Sequence, residues 1–206
     1  MSIYKISRFI LLVLAKLLFR VRFHGAENVP LTGSVILAAN HASYFDPPLV
    51  GIGVGKRVLY FMARETLFRN PVFGALIKRI NALPLKRGRP DRAGLERVLE
   101  ILQMGNAMVL FPEGTRTPDG RLQEGRPGSG LIARFSGASV VPVYIKGSFE
   151  ALGKGRALPK PVRIDVYYGR PLDLEDCFQM PKCRATYVKI SGRIMEGIAL
   201  LEKEAS

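Results

Sequence analysis

Ser34-Val35-Ile36-Leu37-Ala38-Ala39, followed without a break by Asn40-His41-Ala42-Ser43-Tyr44-Phe45-Asp46-Pro47, is the stretch on which the fold turns. Its first part is a short apolar run, the pattern of a buried strand. Pro47 suits the first position of a new helix, with Asp46 as its cap. The segment therefore predicts a strand, a tight loop and a helix. His41 and Asp46 share the loop at the strand's carboxyl end, where sites in open α/β sheets commonly lie.

Further strands and helices alternate outward from this unit. Val58–Met62 and Ala107–Phe111 read as strands, and Val162–Tyr168 alternates apolar residues as a half-buried strand does. Val140–Ile145 is also apolar, but Pro142 lies inside it, which predicts an edge strand or a bulge. Asp91 is a candidate N-cap for a helix with Leu95, Val98, Leu99 and Leu102 on one face, and Gly105 stands just past its end. Leu131–Phe135 suggests a short helix, and Arg184–Glu204 a closing one. The expected fold is α/β, a single domain with a mixed, largely parallel sheet covered by helices. The chain's 206 residues suit one such domain.

The first residues read differently. Ile3–Phe23 is helix-like, with an apolar core at Phe9–Ala15 and again at Leu17–Phe19. Lys5, Arg8, Lys16 and Arg20 fall within an arc of roughly 120°. The uncharged run is shorter than the ~18 residues of a spanning helix. A basic amphipathic helix lying in one leaflet fits better. The expected division is a membrane-interface helix over 1–23 and a catalytic domain over 24–206.

Composition narrows the chemistry. Lys and Arg total 31 against 17 Asp and Glu, a net +14, so the partners include an anion of some kind. Two cysteines make no disulfide framework and point to a reducing compartment. Two histidines and two cysteines at scattered positions predict no metal site. If catalysis needs an imidazole, His24 and His41 are the candidates.

Three segments carry the chemistry. In the first, an imidazole beside a carboxylate is the arrangement for general-base catalysis, with Asp46 fixing the tautomer of His41. Spacing alone leaves open a simple helix cap beside a loop histidine. The second is Phe111-Pro112-Glu113-Gly114-Thr115-Arg116, again just after a strand. Gly114 allows close backbone approach, and Thr115 and Arg116 suit phosphate oxygens. The third runs from Arg64 through Asn70-Pro71-Val72-Phe73-Gly74 to Asn81-Ala82-Leu83-Pro84-Leu85-Lys86-Arg87. Between residues 56 and 97, eleven basic side chains stand against three acids, more than half of the chain's surplus.

Asn-His-x-Ser-x-x-Asp at 40–46, the Pro71-x-Phe73-Gly74 segment ending at Arg87, Phe-Pro-Glu-Gly-Thr-Arg at 111–116 and Val-Val-Pro-Val at 140–143 together resemble the 1-acyl-sn-glycerol-3-phosphate acyltransferase family. The resemblance runs in order from about residue 22 to 170, and four motifs in sequence are highly specific. Asn81 departs from it, since the family often has glycine there. The resemblance implies a glycerolipid-acyltransferase-like fold and transfer of an acyl chain from a thioester to the sn-2 hydroxyl of 1-acyl-glycerol-3-phosphate, giving phosphatidic acid. It implies His41 as general base and Asp46 as its partner, with no acyl-enzyme. Arg87, Glu113, Gly114, Thr115 and Arg116 match positions that bind the acceptor's glycerol-phosphate end. Asn40, Ser43 and Pro142 match supporting positions, and Val140–Val143 a block for packing or donor binding. No cofactor is implied beyond the acyl donor, coenzyme A or acyl-carrier protein. The implied partners are a lysophospholipid and an anionic membrane surface, not nucleic acid, and the implied place is the cytoplasmic face of the cell membrane.

Rivals explain less. Gly-x-Ser-x-Gly is absent, which removes the usual serine hydrolase signature. Gly51, Gly53, Gly55 and Lys56 lack P-loop spacing. A nucleic-acid-binding module fits the sequence pI near 10.2 but leaves the loop motifs unexplained. Another lysophospholipid, or an amino-acid lipid, is the alternative acceptor.

Overall fold

A computed structural model describes residues 3–55, 57–86 and 91–205, with side chains from Ile6 onward. Its frame is a seven-stranded sheet in the order β1-β7-β6-β2-β5-β3-β4. The strands are β1 (Arg22–His24), β2 (Val35–Ala39), β3 (Leu59–Arg64), β4 (Ala82–Leu85), β5 (Ala107–Leu110), β6 (Ser139–Lys146) and β7 (Asp165–Tyr168). All neighbours run parallel except β6 and β7, so the sheet is mixed and largely parallel.

Strands buried on both faces lose the polar alternation of half-exposed ones. Every residue of β2 is buried, and its alternate side chains feed two separate cores. Val35, Leu37 and Ala39 join one core with α2 (Asp46–Gly53) and the inner side of α1 (Ile3–Phe19). Ile36 and Ala38 join the other, with α4 (Arg92–Gln103), α5 (Pro127–Ser136), α7 (Glu175–Gln179) and α8 (Arg184–Glu204). Right-handed crossovers then place α3 (Pro71–Arg79), which joins β3 to β4, on the side of α1 and α2. The short helix α6 (Ser148–Leu152) follows β6.

Pro142 does not mark an edge. β6 is an interior strand between β2 and β7. The carbonyl of Pro142 accepts from Gly169 N, just beyond the last β7 pair, Val143 with Tyr168. The reciprocal donor of that terminal pair would be the N–H that proline lacks, so Pro142 forgoes one bond where the β7 ladder ends. Asn81 has φ 64, the left-handed region in which asparagine is among the few tolerated side chains, so it serves where glycine would.

The amino-terminal helix also differs from expectation. It ends at Phe19, Arg20 takes φ 46, and the chain turns into β1, which pairs with β7. The expected boundary after Phe23 thus falls inside the sheet. Ala15, Phe19 and Val21 are buried in the core. Arg8 turns inward and donates to the carbonyl of Gly55 at the far end of α2, so it leaves the outward basic set, while Lys16 and Arg20 remain exposed. The outward face is apolar: Phe9 is 65% exposed and Leu17 74%, with Ile10, Leu14 and Leu18 about half exposed. Among the described residues, no helix is long and apolar enough to cross a membrane.

Candidate active site

The loop leaving β2 is held from both ends. Asn40 extends the sheet with its side chain: Nδ2 donates to Ile145 O at 3.1 Å, and Oδ1 accepts from Ile145 N at 2.8 Å. Asp46 is not the helix cap that spacing predicts; Phe45 occupies that position. The Asp46 carboxylate instead folds back over its own loop. Oδ2 accepts from Ala42 N and Ser43 N, each at 2.6 Å, and from His41 Nδ1 at 2.9 Å. With two amides and the ring aimed at one oxygen, Nδ1 is the donor and Nε2 keeps its lone pair. Asp46 is wholly buried. Ser43 is too, and its hydroxyl donates to Leu152 O at 2.9 Å, tying the loop to α6.

Three further contacts fix His41, all from the Phe111–Thr117 segment. Thr117 N donates to His41 O at 2.8 Å. Phe111 stacks on the imidazole with centroids 4.1 Å apart and planes inclined by 22°. Glu113 Oε1 accepts the His41 backbone N–H at 3.0 Å, while Oε2 accepts from Gln123 Nε2 at 2.8 Å. Glu113 is 2% exposed and takes no part in the cavity wall. Glu113 thus holds the His41 backbone from below. Burial pushes its carboxyl up to about 7, against the pull of the hydrogen bonds from His41 and Gln123.

The outer part of that loop does face the cavity. Gly114 has φ 71, the left-handed region that favours glycine, and a Cβ there would sit 2.8 Å from Arg126 Cδ and push that side chain aside. Thr115 and Arg116 line the cavity beside His41. The Arg116 guanidinium lies 3.6 Å over the Tyr44 ring, which orients its fork. Arg87 lies outside the described residues. Pro142 is remote from the cavity and packs beside Gly169 and Gly197, where an added Cβ would meet it at 2.8 and 3.3 Å.

The cavity measures about 880 Å³. Its depth is apolar, walled by Gly51, Ile52, Phe61, Ile77, Ile80 and Ala82. Among the described residues four cations line it, Arg8, Arg64, Arg116 and Lys154, and no carboxylate does. Sequence reading missed Phe111, Gln123, Tyr44 and Lys154. The first two are separated from His41 by 70 or more residues, and their role appears only once β2 and β5 pair. Among the described residues, no cluster of three or more His, Cys, Asp or Glu is placed to hold a metal ion. Cys177 is buried, Cys183 exposed, and both are free.

A buried His–Asp pair thus opens on an apolar cavity with a cationic lining, and relatives give the class. Residues 20–146 match the acyltransferase family model, and the chain belongs to that family. A 1-acyl-sn-glycerol-3-phosphate acyltransferase of Bacillus subtilis (strain 168) is 28% identical over 179 residues, 86% of each chain. A chloroplastic 1-acyl-sn-glycerol-3-phosphate acyltransferase of Arabidopsis thaliana is 30% identical over 140 residues, 66% of this chain and 39% of that one. The crystal structure of the 1-acyl-sn-glycerophosphate acyltransferase PlsC from Thermotoga maritima matches with a TM-score of 0.80 at 28% identity, covering 97% of this chain and 80% of the other.

Proposed function

We propose that this acyltransferase moves a fatty acyl chain from a thioester of coenzyme A or acyl-carrier protein to the sn-2 hydroxyl of 1-acyl-glycerol-3-phosphate, giving phosphatidic acid. The observation that carries the reading is the His41–Asp46 pair, 2.9 Å apart, set at an apolar cavity with Arg116 on its wall. His41 Nε2 takes the proton of the acceptor hydroxyl as that oxygen attacks the thioester carbonyl. The C–S bond breaks, and the imidazolium returns the proton to the departing thiolate. Asp46 steadies the imidazolium in between. Arg116, with Gly114, Thr115 and Arg87, receives the phosphate end of the acceptor. The apolar depth receives acyl chain. Ser43 supports the loop and is not the nucleophile; its hydroxyl is buried and committed to Leu152.

The acceptor lives in a bilayer, and the outward apolar face of α1 supports docking there, in one leaflet on the cytoplasmic side of the cell membrane. Exposed Lys16 and Arg20 suit anionic headgroups. One assay tests the reading. Purified protein receives a panel of lyso-acceptors with a labelled acyl thioester, and products are identified by mass. Phosphatidic acid from 1-acyl-glycerol-3-phosphate is expected, and none with His41→Ala. Preference for another lysophospholipid or an amino-acid lipid would overturn the acceptor while keeping the chemistry.

A further inference from the structure

α3 walls the cavity and also stands exposed at its mouth. Gly74 and Ile77 are buried on its inner side, and a Cβ on Gly74 would lie 2.7 Å from Phe68 O, so the helix sits tight on the preceding turn. Phe73, Leu76, Ile77 and Ile80 line the His41 cavity. Beyond the wall Val72 is 80% exposed, and the cavity-lining Leu76 and Phe73 are themselves 47% and 45% exposed. At helical spacing Val72, Phe73, Ala75, Leu76 and Arg79 share an arc of roughly 160°. Leu67, in the preceding turn, lines the cavity as well and is 37% exposed. A contiguous apolar patch of this kind marks a surface that meets something other than water.

The charges around it select the partner. Arg64, Arg69, Lys78, Arg79 and Lys86 are all exposed, against Glu65 alone between residues 64 and 86. A second copy of the chain would set these cations against their own images. An anionic bilayer is complementary twice over, with acyl chains for the apolar arc and headgroups for the basic rim. α3 also lies on the same side of the sheet as α1, and both helices contribute to one cavity wall.

We propose that α3 is a second membrane-contact surface, separate from α1, which seats the mouth of the His41 cavity on an anionic leaflet. Its purpose rests on the function proposed above: the acceptor then passes sideways from the leaflet into the cavity without crossing water.

The chain contains no tryptophan, so one introduced indole reports its own surroundings. Val72→Trp, in the full chain, is mixed with vesicles of phosphatidylglycerol and phosphatidylcholine carrying bromine on their acyl chains. A blue-shifted emission and quenching of at least about twofold are expected, as for a side chain buried at the acyl boundary. Leu17→Trp reports α1 in the same way. Val188→Trp on α8, where the native side chain is 49% exposed on the opposite side of the sheet, should respond to neither. A silent Val72→Trp beside a responsive Leu17→Trp means that α1 docks alone, and sinks the proposal. So does a blue shift that needs no vesicles and follows dimer formation in light scattering. Val72 does not line the cavity, so Val72→Asp should weaken vesicle binding about tenfold, through the cost of a charge at the acyl boundary. It should spare turnover of a short-chain, soluble acceptor. The two readings fail separately. A silent Val72→Trp on an enzyme that acylates its acceptor removes only this surface. A responsive one on a protein that acylates nothing removes only the reaction.

Discussion

Two histidine–aspartate pairs stand in this molecule, alike in length and in aromatic stacking, though His41 engages its partner through Nδ1 and His24 through Nε2. His41 meets Asp46 at 2.9 Å and His24 meets Asp165 at 2.8 Å. Each ring lies on an aromatic one: His41 on Phe111 at 4.1 Å, His24 on Tyr167 at 4.5 Å. They part company one shell further out. Asp165 also receives Arg163 through two bonds of 2.7 and 2.9 Å. Burial pushes the Asp165 carboxyl up, yet the hydrogen bonds from Arg163 and His24 outweigh it and hold it below its ordinary value. Its charge is therefore already answered, whereas Asp46 meets only its own loop. The His24 side chain is 41% exposed on an edge strand, against 11% for His41. Only His41 lines the apolar cavity. A His–Asp pair is thus a motif of stability or of catalysis according to what lies beyond the ring.

The contrast can be broken by exchanging the two sites in experiment. His41→Ala should lower kcat by at least ~10²-fold, the scale of general-base catalysis, with little change in Tm. Turnover by His41→Ala within a few-fold of wild type would erase the distinction. Arg116→Ala should raise acceptor KM roughly ten- to a hundredfold and donor KM much less, as a charge-assisted contact to phosphate is lost. Glu113→Ala should lower kcat about tenfold by freeing the His41 backbone. Acceptor KM should stay put, and Glu113→Gln, which keeps an oxygen for His41 N–H, should recover most of the loss. A rise in acceptor KM would return Glu113 to the substrate. His24→Ala should change kcat by less than about twofold, because it perturbs only an edge contact.

The two carboxylates sharpen the contrast most finely, through opposite pH slopes of stability. Glu113 is raised, so the folded state holds its proton more tightly than the unfolded one, and stability falls as pH rises from 4.5 to about 7. Glu113→Gln should flatten that fall in melting curves taken across the window. Asp165 is lowered from 3.8, so its contribution is present above that value and disappears as pH drops through its folded value. Asp165→Asn should flatten the acid limb instead. The same sign of slope change in both variants would contradict the assignments.

Much of this was legible in the chain. The apolar runs at Val35–Ala39 and Ala107–Leu110 became β2 and β5, and Asp91 caps α4 by accepting Gly94 N at 3.0 Å. The His41–Asp46 pair was readable because its members lie five positions apart on one loop. What could not be read was long-range. Asp46 looked like a cap because the cap motif is local, whereas its true partners appear only when the loop folds over it. Pro142 looked like an edge because the place where the β7 ladder stops is not written in β6. The contact of Glu113 with the His41 backbone could not be read because nothing local tells that β5 carries it beneath His41. The inward face of α1 was hidden for a related reason: Leu11, Ala15 and Phe19 pack where α2 offers a seat.

The pairing of β1 with β7 sets a timetable. His24 and Asp165 are 141 residues apart, so the strand that anchors α1 to the sheet finds its partner only after that much more chain has been made. At ~5–20 residues per second, α1 and β1 wait on the order of ten seconds or more outside the ribosome before β7 emerges. Through that interval the helix has Phe9, Leu14, Leu17 and Leu18 uncovered, and the inner residues that will later meet α2 as well. A nascent chain in this state is a client for a chaperone or for the bilayer itself, and a ribosome translating near a membrane would settle which comes first.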